Sequence, residues 1–285
     1  MIGEALTFGM DHVGKALWYI ETHFESEFTL NDVAAVAGLS KFHLVRAFGI
    51  CFGKSVMRYV RERRLTEAAK QLAESDHGIL DVALQSGYNS HEAFTRAFKA
   101  QFGVTPESIQ RARSTAAIKL VEPLRMNEKP TPATLEPRIA SRGPMLLVGL
   151  KRRYSDATSA QIPAQWQTFQ PHIGNIEMRI GTAAFGVICN SDDEGNFDYL
   201  TAVEVSAFDD RTPELDALRV PPQTYAVFTH DGHVSEIRRT WRAIFGRWSQ
   251  HTKHKLVDAP QFERYGGNFD PESGNGDIEI WIPVH

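Results

Sequence analysis

Asp81-Val82-Ala83-Leu84-Gln85-Ser86-Gly87-Tyr88-Asn89-Ser90-His91-Glu92-Ala93-Phe94-Thr95-Arg96-Ala97-Phe98-Lys99-Ala100-Gln101-Phe102-Gly103 repeats a pattern that the chain has already used about fifty residues earlier. Asp32-Val33-Ala34 answers to Asp81-Val82-Ala83, Gly38-Leu39 to Gly87-Tyr88, Arg46-Ala47-Phe48 to Arg96-Ala97-Phe98, and Phe52-Gly53 to Phe102-Gly103. Self-similarity on this scale marks a repeated supersecondary unit. Each copy reads as a short helix, a turn at the glycine, and a second helix with an apolar stripe. That is the shape of a helix-turn-helix, whose second helix enters a major groove. Two units in tandem predict a chain that reads two successive grooves.

The flanking residues fit this frame. Val13, Ala16, Leu17, Ile20 and Phe24 recur at helical spacing and predict a leading helix. Thr29 with Asp32 three residues on predicts a capping box for a helix over 30–36, closed by Gly38. Ser40 is the expected N-cap of a first reading helix over 41–50, which buries Leu44, Ala47 and Phe48 and turns Lys41, Phe42, His43, Val45 and Arg46 outward. A long helix over about 54–73 connects the units, with Arg58, Arg61, Arg63 and Arg64 around its surface. In the second unit the candidates for DNA are Ser90, His91, Glu92, Thr95, Arg96 and Lys99. In the first they are Lys41, Phe42, Val45 and Arg46. Thr105-Pro106 starts a last helix running to about 113.

Composition bounds these readings. The 285 residues are 42% apolar and 23% charged, enough for two cored domains. A net charge of -4 argues against indiscriminate coating of nucleic acid. The stretch from Lys41 to Lys70 is nevertheless basic, with eight Lys or Arg against two Glu, and a phosphate-facing surface needs only such a local excess. Cys51 and Cys189 lie in different halves, so no disulfide and a reducing cytoplasm are expected. No apolar run reaches membrane-spanning length, so no membrane partner is expected.

On these residues the segment 10–113 resembles the DNA-binding domain of the AraC/XylS transcription regulators. The resemblance implies seven helices with two helix-turn-helix units. It also implies that Phe42, Val45, Arg46, His91, Glu92 and Arg96 occupy groove-facing positions. Several of these are not the Trp or Gln of the best-known members, so no operator sequence carries over. Arg46 and Arg96 suit bidentate contact with guanine, Glu92 suits a cytosine amino group, and Phe42 and Val45 suit thymine methyls. An isolated exposed arginine is as readily a phosphate contact.

After residue 113 the periodicity fades, and 114–131 reads as a linker between domains at 1–113 and 132–285. The second half predicts strands at 145–153, 185–189, 199–208, 223–229, 261–265 and 278–284, and helices at 160–176 and 234–250. Strand, helix, strand, strand thus occurs twice, so the fold class is multidomain: an all-α tandem helix-turn-helix domain, then an α+β domain of two similar halves with helices on one sheet face.

Phe262-Glu263-Arg264-Tyr265, the run Asp277 to Val284, and Tyr225 to His233 resemble motifs of GyrI-like small-molecule-binding domains. In that family aromatic side chains surround a buried carboxylate, a construction suited to lipophilic cations and to multidrug sensing. Glu263 fits the acid, Tyr265 shares its strand face, Trp166, Phe169, Tyr225 and Trp281 are candidate walls, and Glu204 and Glu279 are secondary acids. Most aromatics at such spacings are simply core. His230 with His233, and His251 with His254, have a spacing that allows metal ligation, but without a cysteine they read as ordinary histidines. No catalytic motif is found, so neither an enzyme nor a cofactor is expected. The expected function is a DNA-binding transcription regulator controlled by a small ligand, with double-stranded DNA, the effector and RNA polymerase as partners. The alternatives for the second domain are a hydrolase using Glu263 with Tyr265 or Tyr225, and a protein-docking module.

Overall fold

The computed structural model describes residues 12–125, 135–155, 157–208 and 214–285. The N-terminal half is helical: α1 (His12–His23), α2 (Leu30–Ala37), α3 (Lys41–Phe52), α4 (Val56–Glu74), α5 (Ile79–Gln85), α6 (His91–Phe102) and α7 (Pro106–Ala112). Local chemistry sets their ends. The Thr29 hydroxyl accepts from the Asp32 amide while the Asp32 carboxylate accepts from the Thr29 amide at 2.7 Å. Ser40, Ser55 and Ser90 cap α3, α4 and α6 in the same way, each accepting an amide proton three residues on. Gly38 and Gly87, at φ of 69° and 84°, make the two turns in a backbone conformation that side chains disfavour.

The two units differ in what they are packed against. Phe94, Phe98, Val82, Leu65, Leu72 and Ile109 form a core of the second unit alone. The core of the first unit, with Val33, Leu44, Phe48 and Tyr59, is continuous with Trp241, Phe245 and Ile280 of the C-terminal half. Arg63, predicted on the surface of α4, is buried instead: its guanidinium pairs with Glu21 at 3.0 Å, donates to the Val121 carbonyl and lies 4.9 Å from the Phe24 ring centre. Residues 114–125 also depart from a free linker. The Val121 amide donates to Thr66, and the Leu124 amide donates to the Tyr59 hydroxyl, so this stretch is strapped along α4. The rest of the predicted linker and the boundary at 132 lie outside the described residues.

The C-terminal half is one eight-stranded antiparallel sheet: β1 (Arg138–Arg142), β2 (Met145–Tyr154), β3 (Arg179–Cys189), β4 (Phe197–Val205), β5 (Asp216–Val220), β6 (Gln223–Thr229), β7 (Gln261–Tyr265) and β8 (Ile278–Val284). Its order is β1-β6-β8-β7-β3-β4-β2-β5. Helix α8 (Ile162–Ile173) follows β2, and α9 (Ile237–Ala243) follows β6 and runs on through a π turn over Ile244–Trp248. Both repeats of strand, helix, strand, strand are present. Two further strands, β1 and β5, were not anticipated. Each precedes one repeat and pairs with the first strand of the other, β1 with β6 and β5 with β2. Their residues alternate too weakly to announce a strand, and only the exchange between halves gives them a partner.

Candidate functional site

Register divides the predicted ligand set between the two faces of the sheet. Glu263 lies opposite Gly186 on one side and Ile280 on the other, whereas Phe262 lies opposite Val187 and Trp281. Since successive side chains alternate faces, Glu263 and Tyr265 point to the side covered by α8 and α9. Trp166 and the fully buried Phe169 come down on that same side from α8. Tyr225, Trp281, Glu204 and Glu279 point to the other side. There Tyr225, Trp281 and Phe262 pack ring to ring with centres 5.1–5.5 Å apart. Arg142 pairs with Glu204 at 2.5 Å and Arg138 with Glu279 at 2.7 Å. Burial opposes the charge of Glu279, yet the hydrogen bonds from Arg138 and Trp281 outweigh it and hold its carboxyl below the usual range. These four residues therefore do not join Glu263, because the pleat separates them by the thickness of the sheet.

What surrounds Glu263 is a set of hydrogen-bond donors. Its carboxylate accepts from the Tyr199 hydroxyl at 2.9 Å, the Tyr265 hydroxyl at 3.0 Å and the Trp241 indole at 2.8 Å. Trp166 donates in turn to the Tyr199 oxygen at 3.1 Å. Burial, then the charge of Glu263, raises both tyrosines well above their ordinary pKa, so both stay protonated and able to donate. Glu263 is only 7% exposed. Among the described residues no cation stands within ion-pair distance of it. Neutral donors satisfy its lone pairs but leave its charge uncompensated in a region of low dielectric.

Sequence reasoning missed Tyr199 and Trp241. Tyr199 was placed only as part of a strand, and its approach to Glu263 depends on β3 lying between β4 and β7 with glycine at the crossing point. A Cβ at Gly186 would stand 2.0 Å from the Tyr199 hydroxyl oxygen and 3.0 Å from the Glu263 carboxylate. Trp241 falls within the helix expected over 234–250 without being singled out, and it is buried at 3% exposure.

The two reading helices present themselves differently. On α6, Glu92, Arg96 and Lys99 are exposed, Ser90 is the N-cap, and Thr95 and His91 are half-buried, with His91 3.2 Å from Glu107. On α3 the expectation of an outward face holds for Lys41 but not for Val45 and His43, which are 5% and 0% exposed. The C-terminal half lies against them. Arg46 lies 4.8 Å from the ring centre of Phe197 and 5.2 Å from that of Trp241, and the Arg242 guanidinium donates to the Ile50 carbonyl at 3.1 Å. Three of the four histidines considered as metal ligands have other partners for their rings, His233 among them with the Ser235 hydroxyl at 2.7 Å. His230 binds Thr240 at 2.7 Å, and His251 binds the Arg247 carbonyl at 2.9 Å. Neither cysteine is in a disulfide. Among the described residues no single helix is long and apolar enough to cross a membrane.

Comparison with known proteins places this geometry in a family. Residues 135–285 match the GyrI-like small molecule binding domain, and residues 33–112 match a helix-turn-helix domain. The transcriptional regulator Rob of Salmonella typhimurium is 28% identical over 96% of this chain and 99% of its own length. The right origin-binding protein of Escherichia coli K12 is likewise 28% identical over 96% of this chain and 99% of its own. The multiple antibiotic resistance protein MarA of Escherichia coli K12 is 36% identical over 39% of this chain and 88% of its own length. The chain belongs to the GyrI-like family, carries its small-molecule-binding domain behind an AraC-type helix-turn-helix domain, and is a DNA-binding transcriptional regulator.

Proposed function

We propose that transcriptional control by this chain responds to a small apolar cation held at Glu263. The observation that carries this reading is the buried carboxylate whose partners, among the described residues, are neutral donors. A cation reaching it gains Coulomb attraction in a medium that screens weakly, and the rings of Trp166, Tyr199 and Tyr265 add apolar and cation–π contact. Trp241 already donates to the carboxylate, so a ligand that takes its place displaces the indole and, with it, the C-terminal end of α9. The protonated tyrosines are suited to hold the carboxylate in place rather than to accept a proton.

For DNA, the proposed reading surface consists of Lys41, Phe42, Val45 and Arg46 on α3 together with Ser90, His91, Glu92, Thr95, Arg96 and Lys99 on α6. Two consecutive helices presented by one chain match a site of two major-groove segments. The ligand half of the proposal is tested by calorimetric titration with tetraphenylphosphonium. The wild-type chain is expected to bind it, and Glu263→Gln is expected to weaken binding at least ten-fold while the circular dichroism spectrum is kept. Equal binding by the two proteins removes Glu263 from the site.

A further inference from the structure

We infer that the C-terminal domain masks the first reading helix, using carboxylates of the β3–β4 loop where DNA phosphates would otherwise sit. The inference rests on the reading of α3 as a DNA-facing helix. Lys41, at the start of α3, pairs with Asp193 at 2.8 Å, and Arg61 on α4 pairs with Glu194 at 2.5 Å. Both cations come from the basic stretch of the chain, and both acids come from one turn.

That turn is built to present them. Asp192 folds back on the turn: its carboxylate accepts from the amides of Glu194 and Asn196 at 3.0 and 2.9 Å and pairs with Arg153 at 2.7 Å. Gly195, at φ of 83°, closes the loop in a left-handed conformation. Asp193 and Glu194 are left to project toward α3 and α4. A carboxylate and a phosphate oxygen make the same charge-assisted hydrogen bonds to Lys and Arg, and one side chain cannot serve both at once.

The rest of the contact excludes a duplex from the same helix face. Arg46 is held over Phe197 and Trp241. Phe42 and Val45 line a cleft of about 390 Å³ whose other walls are residues 189–193 and 258–260 of the C-terminal domain. A base edge reaches Val45 or Arg46 only after the domains separate. The second helix, α6, is outside this contact, so the masked chain keeps one reader exposed. Apparent affinity for a two-groove site is then reduced by the fraction of chains that are open.

The test uses the full chain and a duplex selected by it from a random pool. Asp193→Asn with Glu194→Gln alters two surface side chains outside both cores, and it is expected to tighten binding three- to ten-fold. The range is modest because exposed ion pairs are individually weak. A control pair of equal charge change, Asp231→Asn with Glu272→Gln, alters exposed residues elsewhere and is expected to shift affinity less than two-fold. Equal tightening by both pairs would show a general charge effect and overturn the masking. Arg46→Ala, made in the neutralised chain, separates the two readings. If it weakens binding while the loop substitutions change nothing, α3 reads DNA and is not masked. If neither alters binding, the reading of α3 as DNA-facing has itself failed, and masking falls with it.

Discussion

At the scale of single residues, the C-terminal site is governed by one carboxylate and by the absence of one side chain. Glu263 could be singled out because the run Phe262-Glu263-Arg264-Tyr265 resembles a GyrI-like motif, and that resemblance implies a buried acid at this position. Tyr199 could not, because its hydroxyl reaches Glu263 only across β3, over Gly186. Gly186→Ala tests this crossing. The added methyl meets the Tyr199 hydroxyl at a distance no Cβ contact tolerates, so the ring must leave. The expected outcome is a folded chain destabilised by about 1–3 kcal/mol, the cost of losing one hydrogen bond to a charged buried group, with weakened binding of tetraphenylphosphonium. Urea unfolding and calorimetry measure the two effects. Unchanged values for both would show that Tyr199 does not support the carboxylate.

Single elements show how two helices with a shared motif acquire different surroundings. Helices α3 and α6 carry the same apolar stripe, and the stripe was legible from its spacing. The faces opposite the stripe differ because only α3 has a neighbour there, and no local pattern in α3 announces that neighbour. His43 registers the difference. Its ring is fully buried near Phe245, with Nδ1 2.7 Å from the Ser40 hydroxyl, and burial lowers its pKa from 6.5 to about 4. The folded chain thus favours the neutral ring. Stability is fully present above pH 6.5 and falls as pH drops toward 4, where the unfolded chain takes up a proton that the folded chain refuses. The loss from this group is roughly 3 kcal/mol over the window. Unfolding free energies measured across it should show a steeper decline for the wild type than for His43→Gln. Parallel profiles would show that His43 is solvated. Helix α9 offers a second case: the segment 234–250 reads as a helix, but nothing in it announces the π turn over Ile244–Trp248. A π turn shifts hydrogen-bond register by one residue, often near a functional group, and here it begins at Ile244, three residues after Trp241.

Across the whole molecule, Trp241 links the two proposed sites. Its indole donates to Glu263 at 2.8 Å, and its ring lies 5.2 Å from the guanidinium of Arg46. A cation that displaces the indole also removes one of the two rings on which Arg46 rests. Tetraphenylphosphonium is therefore expected to tighten binding of the selected duplex by several-fold. By thermodynamic reciprocity the duplex must tighten cation binding by the same factor. Titrating each in the presence of the other checks both halves, and independence of the two equilibria would show that the sites are not coupled through Trp241.

The sequence by itself determined the two helix-turn-helix units, their capped ends and the repeated strand-helix-strand-strand order, while the buried acid came from a family resemblance. The units, caps and order depend on contacts or periodicities within some twenty residues of chain, and so they leave a local trace. Tertiary structure alone decided the exchange of β1 and β5 between halves and the separation of Tyr225, Trp281, Glu204 and Glu279 from Glu263 by the sheet. It also decided the burial of Arg63 against Glu21 and the seating of α3 beneath the C-terminal domain. Each of these joins residues far apart in the chain, or turns on which face of a strand is covered. The free energy that fixes such a pairing belongs to both partners together, and neither segment carries it alone.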